Sequence, residues 1–144
     1  MPNYLKLLFV SLVFTTFISC KKDDKPVSDI VTFKATLSGT NEVPSNTSMA
    51  SGSSTLTYNK STKTFSIVTT YSGLTPTMGH IHKAVKGVNG AVIFPFTNVG
   101  TSPIKLESSI TDEQFQAMEK DSMYVNLHTT AFPGGEIRGQ LMKQ

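Results

Sequence analysis

The sequence predicts an all-β domain, an antiparallel sandwich or barrel carrying one short helix. Three observations lead there. About eight short segments alternate apolar and polar residues with period 2, the mark of strands with one buried face. Turn-forming residues separate them at intervals of roughly 8–12 residues, as in all-β domains. Only one stretch, residues 111–121, has the start signal and spacing of a helix.

Length and composition bound the rest. A chain of 144 residues with 38% hydrophobic side chains suits one folded domain with one core. Of its 13 Lys and Arg, four precede Pro26, and of its 10 acids two do, which leaves 9 cations against 8 anions in the remainder. The sequence pI near 9.0 therefore reflects the N-terminal segment, and a nucleic-acid partner, which needs a clustered basic face, is not expected.

Residues 1–30 stand apart from the fold. Lys6 precedes an apolar run over residues 7–18, too short to span a bilayer and shaped like the apolar region of a signal peptide. Cys20, the one cysteine of the chain, closes it. That placement resembles a bacterial lipobox, with Phe17 standing where Leu is usual, and implies cleavage before Cys20 and lipidation there. We expect a signal peptide over 1–19, a lipidated Cys20 and tether over 20–30, and one domain over 31–144. The charged tether Lys21-Lys22-Asp23-Asp24-Lys25 is similar to the export signal of surface lipoproteins. The implied address is extracytoplasmic, lipid-anchored to the cell envelope at the outer membrane, with surface exposure. The alternative is an ordinary secretory peptide that leaves an unpaired thiol, a liability in an oxidising compartment.

Within the domain, residues 31–37 form the first strand, with Val31, Phe33, Ala35 and Leu37 on one face. Residues 38–44 break it, and the polar run 45–54 reads as a long loop. Residues 55–58 and 64–71 form a hairpin in which Phe65, Ile67, Thr69 and Tyr71 share a face. A strand over 79–85 follows, then Asn89-Gly90, a strong turn signal. Residues 91–96 are an apolar strand that Pro95 pushes toward an edge or bulge. Residues 104–110 are extended. Thr111-Asp112-Glu113-Gln114 then opens the helix as a capping box, with Phe115 and Met118 on its apolar side.

The C-terminal hairpin holds the unusual content. Met123, Val125 and Leu127 alternate with Tyr124, Asn126 and His128; after Pro133-Gly134-Gly135, Ile137 and Leu141 alternate with Glu136, Arg138 and Gln140. Asn126, His128, Glu136, Arg138 and Gln140 thus oppose the apolar face, on the outer surface of the sheet. Gly134 and Gly135 suit a left-handed turn, and Gly139 a close backbone approach or bulge.

Three separated segments occur in order: Phe33-Lys34-Ala35-Thr36-Leu37-Ser38-Gly39 with Asn41-Glu42-Val43-Pro44; His80-Ile81-His82 with Gly87 and Asn89-Gly90; and Tyr124-Val125-Asn126-Leu127-His128-Thr129 with Pro133-Gly134-Gly135-Glu136-Ile137-Arg138-Gly139-Gln140-Leu141. Together they resemble the CHRD domain, a module named for chordin and shared by many secreted bacterial proteins. The resemblance covers residues 32–141. It implies an immunoglobulin-like β-barrel, distantly similar to Cu/Zn superoxide dismutase, and no established activity. Its implied role is a non-catalytic binding or adhesion module with an extracellular protein or glycan as partner.

All three histidines of the chain lie in these motifs. His80 and His82 are two apart on a strand, with Cα atoms roughly 6.5–7 Å apart on one face, while Ile81 turns inward. With His128 nearby, three imidazoles converge in a pattern suited to copper or zinc. A small metalloprotein, distantly similar to superoxide dismutase, is therefore the alternative function. Against that enzyme's pattern the chain offers no fourth histidine, no bridging His-Asp subsite and no disulfide. The competing reading has the rings hydrogen-bonding to loop carbonyls and to Glu42 or Glu136, pinning the motifs together. Glu136 and Arg138 share a face, and either pair with a neighbouring strand or, for Arg138, meet a ligand carboxylate; structural pairing is the expectation. Asn126 and Gln140 are expected to satisfy loop backbone groups. No serine or cysteine nucleophile, paired carboxylate or phosphate-cradling loop stands out, and catalysis is not expected.

Overall fold

Residues 28–144 are described by a computed structural model; Cys20 and the expected signal peptide lie outside them. The strands are β1 (Ile30–Ser38), β2 (Ser51–Asn59), β3 (Thr64–Ser72), β4 (Met78–Lys83), β5 (Ala91–Pro95), β6 (Ile104–Ser109), β7 (Met123–His128), β8 (Ile137–Gln140) and β9 (Met142–Lys143). They build one antiparallel sheet in the order β5-β4-β7-β8-β1-β2-β3-β6, with β9 beside β1. The sheet curls into a half-barrel. Phe94 of β5 meets Phe65 of β3 edge-on, with ring centroids 4.9 Å apart, so distant strands share one core. No helix among the described residues is long and apolar enough to cross a membrane.

The concave face collects the alternating apolar residues: Phe33, Leu37, Leu56, Ile67, Ile81, Val125, Leu127 and Ile137 are all at most 1% exposed. The hairpin β2–β3 forms as its alternation requires, and Pro95 ends β5, an outermost strand where a missing N–H leaves no ladder bond unmade. The helix α1 (Asp112–Glu119) starts on the expected capping box, with Thr111 and Gln114 each accepting from the other's backbone N–H. Phe115 then stacks on Tyr58 at 4.2 Å and closes one end of the core.

Two boundaries differ from expectation. Residues 51–54 belong to β2 and not to a loop. Their hydroxyls find partners across the ladder: Ser54 pairs with Thr69 at 2.8 Å in the interior, and Ser53 with Thr70 at 2.9 Å outside. Serine satisfied in this way is tolerated in a strand despite its poor intrinsic preference. β4 ends at Lys83, and the residues after it fold back over the sheet. That excursion creates the site.

Candidate metal centre

Register decides which side chains meet. β4 and β7 pair with His80 opposite Asn126 and His82 opposite Tyr124, and β7 and β8 pair with Asn126 opposite Arg138 and Tyr124 opposite Gln140. Directly opposed residues lie on one face, so His80, His82, Tyr124, Asn126, His128, Arg138 and Gln140 form a single polar patch. Ile81, Val125 and Leu127 point the other way into the core, as the alternation demands.

The patch is not a solvent-facing surface, which corrects the sequence reading. His82 is 8% exposed, His128 7%, Asn126 3% and Arg138 2%. Loops cover it. Asn89 accepts from Arg138 and donates to Val43 O at 2.8 Å, joining the loop after β4 to the one after β1. Asn46 donates to the carbonyls of Gly135 and Glu136, which joins that second loop to the turn before β8. Period-2 alternation identifies the face opposite the core but is blind to what distant loops lay over it.

The three histidines converge, each with one ring nitrogen within 4.8 Å of the other two. His80 Nδ1 lies 3.2 Å from His128 Nε2. Two rings are held from behind by backbone: His82 Nδ1 donates to Gly90 O at 3.0 Å and His128 Nδ1 to Pro133 O at 2.9 Å. A neutral imidazole carries one N–H, so the bond to Gly90 O leaves Nε2 of His82 as a bare lone pair. For His82 that buried Nε2 has no hydrogen-bond partner. His128 instead has an oxygen acceptor at each ring nitrogen, Pro133 O at Nδ1 and the Asn126 side-chain oxygen 2.9 Å from Nε2, which also faces His80. The backbone bond behind the His82 ring is the arrangement by which proteins fix the tautomer of metal-binding histidines.

Burial lowers the pKa of His80 from its usual 6.5, and proximity to His128 and then His82 adds to the effect. His128 is lowered too, chiefly by burial, against the opposing bond to Pro133 and with help from His82. Both shifts favour the neutral ring, the form that binds metal. Glu42 is raised from 4.5 by burial, which outweighs the attraction of Arg138 and bonds from Asn126 and Val43. Its Oε1 is buried without a partner. Asn126 therefore links a carboxyl to the histidine cluster, where a bond to loop backbone was expected.

The other expected partners sort differently. Glu136 accepts from the hydroxyls of Ser48 and Thr129, and does not reach a histidine or Arg138. Arg138 donates to Asn89 Oδ1 and Val88 O and sits 3.4 Å above the Tyr124 ring, with no ion pair among the described residues. Gln140 satisfies the backbone carbonyls of Ala84 and Asp121, as expected. Of the two glycines in the last turn only Gly135 is left-handed, at φ +129°. A Cβ there would fall 2.7 Å from Asn126 Nδ2, so a side chain would strike the amide behind His128. At Gly139 a Cβ would lie 2.6 Å from Thr36 O, which is the close approach anticipated.

The family model of the CHRD domain matches residues 33–141, the same stretch that builds the sheet and the covered patch. The chain belongs to the CHRD family. No curated protein and no solved structure matches it. The three segments that carried the resemblance are thus the three that meet here: the strand β1 and its following loop, the histidine strand with its return loop, and the C-terminal hairpin. Two CHRD residues that the sequence reading passed over complete the site. Tyr124 stacks parallel to His82 at 4.7 Å, and its hydroxyl accepts from Gly90 N. Asn89, read only as a turn former, joins two loops. The alternation did place Tyr124 on the face of His128; nothing local announced Asn89.

Proposed function

We propose that this protein is a non-catalytic CHRD binding module held at the cell envelope by a lipid on Cys20, and that its domain binds one zinc or copper ion on His80, His82 and His128. The observation that carries the metal reading is His82: a buried Nε2 lone pair without a partner, its ring fixed by the bond to Gly90 O, inside a three-histidine cluster. Leaving a buried polar atom unsatisfied costs roughly 1–3 kcal/mol, and an ion there would remove that cost. Imidazole donors suit zinc and copper. Nitrogens sharing one tetrahedral ion with bonds of about 2.0–2.1 Å lie about 3.3 Å apart. The His80–His128 pair is at 3.2 Å, and a nitrogen of His82 lies within 4.8 Å of both rings.

Burial of His82 and His128 favours retention of an ion over turnover at it, since only His80 meets solvent appreciably. The address rests on the apolar run over residues 7–18 and on Cys20. Calorimetric titration of untagged, chelator-treated protein with zinc and with copper tests the proposal. One saturable site, weakened at least about tenfold in His82→Ala, is the expected result. Heats no larger than dilution would leave the histidines as braces for the loops.

A further inference from the structure

Beside the covered patch, between β1, β8 and the C-terminal residues, the surface opens into a cleft of about 520 Å³. Its charged side chains are all of one sign: Lys34, Lys86 and Arg138, without an aspartate or glutamate. Arg138 is the informative member. It is 2% exposed, yet has no ion pair among the described residues. Its two hydrogen bonds go to a neutral amide and a carbonyl, and the carboxyl of Glu42 attracts it without forming a direct ion pair. A guanidinium that touches no carboxylate and lines a cleft beside two lysines suits an anion there.

The neutral lining narrows the ligand further. Asn41 donates through its side-chain nitrogen to Thr36 O, Gln140 to Ala84 O and Asp121 O, and Gln144 to Met142 O. A carbonyl oxygen only accepts and a side-chain amide donates only through its nitrogen, so these bonds fix which end of each amide is the oxygen. All three amide oxygens are then left as acceptors with no protein donor among the described residues. Cationic donors together with free acceptors match a molecule that carries an acid group and several hydroxyls.

We propose that this cleft binds an acidic carbohydrate, its carboxylate toward Arg138, Lys34 and Lys86 and its hydroxyls donating to Asn41, Gln140 and Gln144. The cleft borders the histidine patch through Arg138 and Gln140, but no histidine lines it, and binding in it does not depend on metal at the histidines. Arg138 holds the loop after β4 as well, so it is a poor residue to vary. Lys34 and Lys86 are exposed, and replacing them leaves the core untouched.

The test is calorimetric titration of the full chain with a short uronic-acid oligomer, the matching neutral glucose oligomer and inorganic phosphate. The acidic oligomer should bind at least about tenfold more tightly than the neutral one, and more weakly at high salt. The double variant Lys34→Gln/Lys86→Gln should lose about tenfold in affinity for it, the scale of two partly screened charges. That variant should keep the parent's circular dichroism and zinc titration, which separates failure of this cleft from failure of the metal centre. Equal affinity for the neutral oligomer, no binding at millimolar concentration, phosphate binding as tightly as the acidic oligomer, or an unaffected double variant would each overturn the proposal.

Discussion

His80 Nδ1 approaches His128 Nε2 to 3.2 Å although the two residues are not opposite one another: His80 faces Asn126 across the ladder, and His128 faces Met78. The contact is a diagonal one, two residues out of step, within reach only because both side chains are long enough to lean along the strands. Pro133 O holds the His128 ring so that Nε2 is aimed at its neighbours. The cluster therefore depends on the turn before β8 as much as on the two strands.

That dependence gives a prediction at Gly135. Its φ of +129° is one that residues with a Cβ rarely adopt, and an added methyl would meet Asn126 Nδ2 at 2.7 Å. Gly135→Ala should destabilise the domain by about 1–3 kcal/mol in urea unfolding and weaken zinc binding. Gly134→Ala is the control. A Cβ there meets nothing within 4 Å, and its stability should match the parent within about 0.5 kcal/mol.

Stability of the metal-free protein should fall in mild acid. His80 and His128 have folded-state pKa values below the usual 6.5 because burial penalises their charged forms. The unfolded chain then binds more protons as pH drops below about 6.5, so their contribution is full above that pH and is lost on the way down through the folded values. Glu42 has the opposite sign, because burial raises its pKa and protonation favours the folded state. Urea unfolding of Glu42→Gln at pH 7.5 and 5.5 isolates the histidines. The loss between those pH values should shrink when His128→Ala is added, and an unchanged loss would show that these rings do not control it.

The N-terminal reading is tested independently of the fold. Cys20→Ala should release the protein from the membrane fraction or leave it as an unprocessed precursor. Normal membrane retention of that variant would remove the lipid anchor from the account.

How much of this was legible beforehand follows from what each signal encodes. Val31, Phe33, Ala35 and Leu37, or Val125 and Leu127, declare their face because burial in a strand has period 2. Thr111 and Gln114 declare a helix start because their bonds are local. The meeting of His80, His82 and His128 was readable as a possibility, since a single face was assigned to each strand, although nothing in the sequence stated that β4 and β7 are neighbours. The burial of Asn126 and Arg138 was not readable. It depends on Asn89 and Asn46, residues of two loops far apart in the chain, which act as bridges only after the sheet has brought those loops together. Glu136 was assigned to a histidine or to a neighbouring strand by charge alone, whereas the donors it meets are the hydroxyls of Ser48 and Thr129.

The most direct measurement of the central claim is the metal content of untagged protein after equilibration with micromolar zinc and copper and dialysis, compared with His82→Ala treated alike. A centre built on the His82 lone pair predicts about one ion per chain in the parent and none in the variant. A parent that emerges metal-free, or a variant that retains as much metal as the parent, would contradict it.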